Sequence, residues 1–209
     1  GWPQMCGIAG IYDRSGSNDV AAVSRMLDVQ AHRGPDGSCT WFDPGIVLGH
    51  RRLAFLDLSD EGSQPMTYAQ ERYVITYNGE VYNFIELRAT LEQLGHVFRS
   101  TSDTEVLLAA YAEWGVQCLD RLNGMFAFAI WDRARRELFL ARDRLGVKPL
   151  SYTWDGRTLT FASEVKALHA AGSTRGGIDA NAVYEYLARG YTTEGRSFHA
   201  GVDVLEPGY

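Results

Sequence analysis

The sequence predicts an α+β domain in which two antiparallel sheets stack face to face with helices on the outside. Three observations predict it. Short segments of alternating apolar residues recur along the chain, a few helices with legible starts interrupt them, and turn signals join neighbouring segments as hairpins. A sheet whose two faces are both apolar needs a partner on each side, and stacked sheets with outer helices supply both.

Taken in order, the strand-like segments are GIAGIYD (7–13), IVLGHRRLAFLD (46–57), RYVITYN (72–78), MFAFAIWD (125–132), ELFLARD (137–143), LSYTWD (150–155) and TLTFASE (158–164). Asp155-Gly156, between the last two, is a two-residue turn signal. Helix starts are read from caps. Asn18 is placed to cap a helix carrying Val20, Val23, Met26 and Leu27 on one face. Asn83, with Glu86 three residues on, opens NFIELRATLEQLG, whose stripe is Phe84, Leu87, Leu91 and Leu94 and whose stop is Gly95. Ser102 with Glu105 forms a capping-box pattern at the head of SDTEVLLAAYAEWG, ending at Gly115. The stretch AAGSTRGG (170–177) reads as a loop or boundary.

Composition narrows the function classes. A chain of 209 residues suffices for one substantial domain. A net charge of -6 offers no basic footprint for nucleic acid or an anionic membrane. No apolar run approaches a membrane span of about 20 residues. Cys6, Cys39 and Cys118 form no CxxC, and the five histidines carry no ligand spacing. A disulfide framework and a metal site are therefore not expected, and a reducing, cytoplasmic location is.

Four places in the chain admit chemistry, each with a structural alternative. Cys6 follows Met5, so removal of residues 1–5 would put its thiol and a free α-amino group on one carbon. Such an amine titrates near ~7.7–8.0 and the thiol near ~8.5, so the amine can serve as the thiol's base. Otherwise Cys6 is a small buried hydrophobe. Asn78-Gly79 in TYNGEVYN is first a turn signal, and alternatively an oxyanion hole. Arg51 and Arg52 share an apolar strand, so alternation turns one of them inward, to an internal ion pair or a substrate carboxylate. Asp103 suits the first turn of its helix and equally a substrate ammonium. The charged Gly/Pro loops AHRGPDG (31–37) and LARDRLGVKPL (140–150) read as scaffolding.

Together these pieces resemble the glutaminase domain of asparagine synthetase, a class II glutamine amidotransferase of the N-terminal nucleophile kind. The resemblance is carried by MCGIAGIYD, HRGPDG, GHRRLAFLDLSDEGSQPM, VITYNGEVYN, TSDTEVLLAAY, LNGMFAFAIWD, ARDRLGVKPL and FASEVKAL, in family order from Met5 to about Leu168. It implies a four-layer αββα sandwich, the N-terminal nucleophile hydrolase fold. It also implies Cys6 as nucleophile, Asn78 and Gly79 as oxyanion hole, and Arg52 as clamp on the α-carboxylate of L-glutamine. Glu80 and Asp103 would lie at the substrate's amino end, with Phe55 and Leu56 lining the pocket through backbone. Ser151, where the family carries an aromatic, and LEPGY (205–209) depart from the pattern away from these residues.

The implied organisation is residues 1–5 as a leader or cloning scar with the initiator methionine, 6–172 as the glutaminase domain, and 173–209 as the connection towards a synthetase domain outside this chain. The glutaminase part would need no cofactor; ATP and magnesium belong to the synthetase half, the expected partner, and a homodimer is compatible with the reading. Two other readings remain: a catalytically silent binding or docking module of the same fold, and a different N-terminal cysteine amide hydrolase. While GWPQ and Met5 remain attached, Cys6 has no free amine, and little activity is expected.

Overall fold

The computed structural model describes residues 5–53, 62–174, 176–193 and 195–209. Its first sheet contains β1 (Gly7–Asp13), β2 (Gly37–Asp43), β3 (Ile46–Arg52), β8 (Ser151–Trp154), β9 (Thr158–Ala162) and β10 (Asp203–Val204), in the order β10-β8-β9-β1-β3-β2. The second contains β4 (Met66–Tyr68), β5 (Tyr73–Val81), β6 (Gly124–Asp132) and β7 (Glu137–Arg142), in sequence order. Every strand pairing in both is antiparallel. The helices are α1 (Val20–Val29), α2 (Phe84–Gln93), α3 (Asp103–Trp114), α4 (Val165–Ala171) and α5 (Ala180–Arg189), with a 3-10 turn at Gly115–Arg121.

Strand alternation builds three apolar layers from these elements. Ile8, Ile46, Leu48, Val74, Ala127, Ala129, Trp131 and Phe161 meet between the sheets. Ala9, Ile11 and Val47, on the opposite faces of the same strands, pack against Val23, Met26 and Leu27 of α1 and Ala167 and Leu168 of α4. Tyr73, Ile75, Tyr77, Phe126, Phe128 and Ile130 pack against Leu87 and Leu91 of α2 and Leu107, Leu108 and Tyr111 of α3. Each such side chain contributes about 1.5–3 kcal/mol on burial. The chain is therefore the expected αββα sandwich.

Several local expectations are corrected. The α1 cap is Asp19, whose carboxylate accepts from the Ala22 N–H at 2.8 Å; Asn18 instead accepts from Gly45 N–H, tying the helix start to the β2–β3 turn. Asn83 does precede α2 but spends its side chain on Asn123 N–H and Arg121 C=O rather than on the helix. Ser102 caps α3 through Thr104 N–H, whereas Glu105 reaches past it to the N–H groups of Arg99 and Ser100. The β8–β9 hairpin forms with a longer turn than two residues: Trp154 pairs Leu159, and the Asp155 carboxylate accepts from the N–H groups of Arg157 and Thr158. Asn78-Gly79 is no turn; both lie inside β5, paired with Ala127 and Phe126. Strand pairing across nine residues outweighs the local turn preference of two.

Candidate active site

Cys6 stands one residue before β1, whose register sets Gly7 opposite Arg51 and Ile8 opposite His50. Its thiol lies against the end of β3, with Sγ 3.6 Å from the Leu53 carbonyl oxygen and 3.4 Å from the Leu53 nitrogen. Burial pushes the thiol above its ordinary value, and the Asp103 charge adds to that. The Leu53 backbone contact and the charges of Arg33 and Lys148 oppose it. Among the described residues no side-chain base is hydrogen-bonded to the sulfur, so this internal cysteine is a protonated, weak nucleophile.

Alternation decides which side chains face the layer in which the sulfur sits. On β3, Arg51 turns towards α1, giving its Nε–H to the Leu27 carbonyl at 2.8 Å and pairing with Asp28 at 3.1 Å. It neutralises the C-terminal end of that helix. Arg52 takes the opposite face, shared with Leu48 and His50, and reaches Ser63 Oγ at 3.2 Å. The arginine that pairs with a carboxylate, at the exposed Asp28, and the inward-facing arginine are thus two different residues.

On β5 the same rule sends Asn78 to the inter-sheet side with Val74 and Thr76, and Tyr77 to the α3 side. The sheets approach closely here: Thr76 Oγ donates to the Gly49 carbonyl at 2.9 Å, and His50 Nε2 lies 3.2 Å from the Tyr77 carbonyl. A carbonyl only accepts, so Nε2 of His50 carries the proton. Complete burial lowers this imidazole to about 4, so it is neutral. Asn78 is 1% exposed, and its Nδ2 amide has no partner among the described residues. An unpaired buried N–H₂ costs about 1–3 kcal/mol, a penalty that an oxygen acceptor placed there removes. Gly79 is required sterically: a Cβ would stand 2.3 Å from the Met125 carbonyl oxygen and 2.7 Å from the Tyr77 ring.

Asp103 opens α3 and is buried. Its Oδ2 accepts from Tyr77 Oη–H at 2.8 Å and from Val81 N–H at 2.9 Å. Burial nonetheless raises its carboxyl, helped by the neighbouring Glu80 charge and opposed by those two donors. A carboxylate raised by burial and by a second negative charge is stabilised by a cation beside it. Glu80 is half-buried on the same face of β5 as Asn78. Phe55 and Leu56 lie outside the described residues.

The loops that read as scaffolding in sequence each bring a buried cation to Cys6. Arg33 donates Nε–H to the Cys6 carbonyl at 3.0 Å, pairs with Glu164 at 3.0 Å and leaves Nη2 buried without a partner. Its loop lies on the β3 backbone because Gly34 has no Cβ; one would fall 2.5 Å from the Arg51 carbonyl carbon. Lys148, 4% exposed, reaches Met5 Sδ at 2.7 Å. The available signal was the charge inside HRGPDG and RDRLGVKPL, but nothing local distinguishes a charge aimed inward from a solvated one. Gln64 was also missed; its Oε1 accepts from Tyr77 N–H at 2.6 Å, next to Asn78.

No group of three or more His, Cys, Asp or Glu side chains suited to a metal ion gathers among the described residues, and no described helix is long and apolar enough to cross a membrane.

A family profile described as "Glutamine amidotransferase domain" matches residues 5–209. Asparagine synthetase [glutamine-hydrolyzing] 3 of Bacillus subtilis is 43% identical over 210 residues, covering 98% of this chain and 34% of that protein. A putative asparagine synthetase [glutamine-hydrolyzing] of Mycobacterium tuberculosis is 39% identical over 224 residues, again 98% of this chain and 34% of the relative. The chain thus spans about a third of the length of these relatives. Among solved structures, the glutamine phosphoribosylpyrophosphate amidotransferase of B. subtilis superposes with a TM-score of 0.67 at 25% identity, over 80% of this chain and 44% of that one.

Proposed function

The chain belongs to the glutamine amidotransferase domain family, and on that premise we propose that it releases ammonia from L-glutamine through a Cys6 thioester once Cys6 is its first residue. The Asn78 amide is the observation that carries the reading. It is a buried donor with no partner, in the layer that holds the sulfur, where a tetrahedral oxyanion needs one.

In the proposed reaction the Cys6 α-amine takes the thiol proton, directly or through water, because no side chain is bonded to the sulfur to do so. The thiolate attacks the side-chain amide carbon, and the oxyanion accepts hydrogen bonds from Asn78 Nδ2 and the Gly79 N–H. The ammonium form of the amine then protonates departing ammonia, and water cleaves the thioester to glutamate, restoring the thiol. Arg52 holds the α-carboxylate, Asp103 and Glu80 hold the α-ammonium, and Phe55 and Leu56 contribute backbone. The raised carboxyl of Asp103 supports this assignment, since an ammonium beside it offsets the cost of its burial.

The wider proposal assigns residues 6–172 to the glutaminase and 173–209 to a connection. The ammonia passes to a synthetase half of the kind the relatives' names describe, to which ATP and magnesium are assigned in this proposal, in the cytoplasm, with pairing of two copies left to a sedimentation measurement. The test of the core reading measures glutamate and ammonia formed from glutamine by the chain freed of residues 1–5. We expect turnover there, none in Cys6→Ala, and at most a few per cent while residues 1–5 remain. Equal turnover in Cys6→Ala removes the thioester, and full turnover with residues 1–5 attached removes the amine as base.

A further inference from the structure

Lys148 has no part in the mechanism above, yet it is one of the most constrained side chains beside the nucleophile. Its backbone is held from both sides. The Lys148 N–H donates to Asp143 Oδ2 at 3.0 Å, and its carbonyl accepts from Arg142 Nε–H at 2.7 Å. Asp143 also accepts from the N–H groups of Phe126, Leu145 and Val147, so one carboxylate organises the whole loop and anchors it to β6. From this frame the ammonium projects into the interior, where its hydrogen-bond partner among the described residues is the Met5 thioether. A thioether is a weak acceptor for a buried ammonium. Fixing a cation so firmly against so poor a partner has no evident stability rationale, because burial itself works against the charge.

The charges around it explain what such a cation does. The thiol of Cys6 feels Arg33, from the loop after α1, and Lys148, from the loop after β7; against them stands Asp103 of α3. Around Lys148 are Arg33, Glu80 of β5 and Asp143. The hydroxyl of Tyr77 also faces this group but is held neutral by burial. Glu164 is already committed to Arg33, His32 and Lys166. When Cys6 is terminal its amine and thiol form a coupled pair, and the reactive state is the one that has lost a single proton. Positive charge nearby favours that loss whichever atom gives it up, and negative charge, such as that of Asp103, resists it.

We propose that Lys148 is a positioning cation for the terminal nucleophile: its fixed charge, with that of Arg33, offsets Asp103 and Glu80 and holds the Cys6 amine–thiol pair in its singly protonated, reactive state. The inference rests on the reading of Cys6 as a terminal nucleophile, but its test does not need glutamine. The chain freed of residues 1–5 is alkylated with iodoacetamide across pH, and modification is read at Cys6 by peptide mass. The buried Cys118 thiol, pushed up to about 12, stays silent, and the exposed Cys39 is counted separately.

In Lys148→Met the midpoint of the rate–pH curve rises by about one unit, so that at pH 6.5 alkylation slows about tenfold while the alkaline plateaus coincide. Lys148→Arg keeps the charge and keeps the midpoint. Should Lys148→Met fail the circular-dichroism check for folding, Lys148→Gln carries the same expectation. A midpoint that stays put in the neutral variants, or one that moves as far in Lys148→Arg, overturns the proposal. A chain that shows the shift yet never hydrolyses glutamine refutes the glutaminase reading and leaves this one standing.

Discussion

Asn78 and His50 illustrate how single residues carry hydrogen-bond donors into the inter-sheet layer. If Asn78 Nδ2 meets an oxyanion that exists only during reaction, its removal weakens the transition state and spares ground-state binding. Asn78→Ala in the matured chain is therefore expected to lower kcat about 100- to 1,000-fold with little change in KM for glutamine. His50 bears on stability. Its folded imidazole titrates at about 4 because it is fully buried, whereas an exposed one titrates near ~6.5, so between those values the unfolded chain binds the extra proton. The contribution is whole above about pH 6.5 and drains as pH falls towards 4, reaching about 3 kcal/mol. Urea midpoints at pH 7 and pH 4.5 should separate more in the parent than in His50→Gln; an equal separation would show that acid acts elsewhere. The role of His50 was not legible in sequence, and that of Asn78 was legible only through the ordered motifs that carry the resemblance. Asn78 read locally as a turn, and His50 as one histidine among five, because burial is a property of neighbours that sequence does not display.

At the scale of elements, the HRGPDG loop matters through its backbone. Gly34 lies so close to Arg51 and Arg52 that a Cβ would meet main-chain atoms at 2.5–2.7 Å, and backbone does not move aside as a flexible side chain does. Gly34→Ala should cost about 1–3 kcal/mol in urea unfolding and displace Arg33 from the Cys6 carbonyl, lowering turnover as well. Preserved turnover with only a stability loss would separate the loop from the site. The major strands and helices themselves were readable: alternation in β1, β3, β5 and β6 and the stripe of α1 appear where the apolar pattern predicted them, whereas the α2 stripe keeps Leu87 and Leu91 buried but leaves Leu94, past the helix end, exposed. What was not readable was the short or half-exposed strands. GSCTWFD of β2 and MTY of β4 show little apolar alternation, since edge and terminal strands bury only part of one face. Caps also moved by a residue or changed partner, as with Asp19 for Asn18, because two adjacent polar residues compete and the β2–β3 turn recruits one of them.

The whole molecule joins these parts by stacking two sheets so that the chain's start, the ends of β3 and β5 and the head of α3 converge. A domain of this kind covers about a third of the length of its asparagine synthetase relatives. Supplied with glutamine, aspartate and ATP, the chain freed of residues 1–5 is accordingly expected to release glutamate and ammonia in equal amounts and to form no asparagine, as read by amino-acid chromatography. Asparagine formed by this chain alone would contradict the division of labour. Sequence by itself determined the sandwich, its major strands and helices, and the membership announced by MCGIAGIYD, HRGPDG and the other ordered segments, because hydrophobic period and motif order are written along the chain. Only the tertiary structure decided which arginine faces inward, that Asn78-Gly79 is strand and not turn, and that Arg33 and Lys148 stand at the nucleophile. Those outcomes depend on pairing register and on approaches between residues 27 apart for Arg33 and Cys6 and 143 apart for Lys148 and Met5, and interactions through space leave no mark in local order.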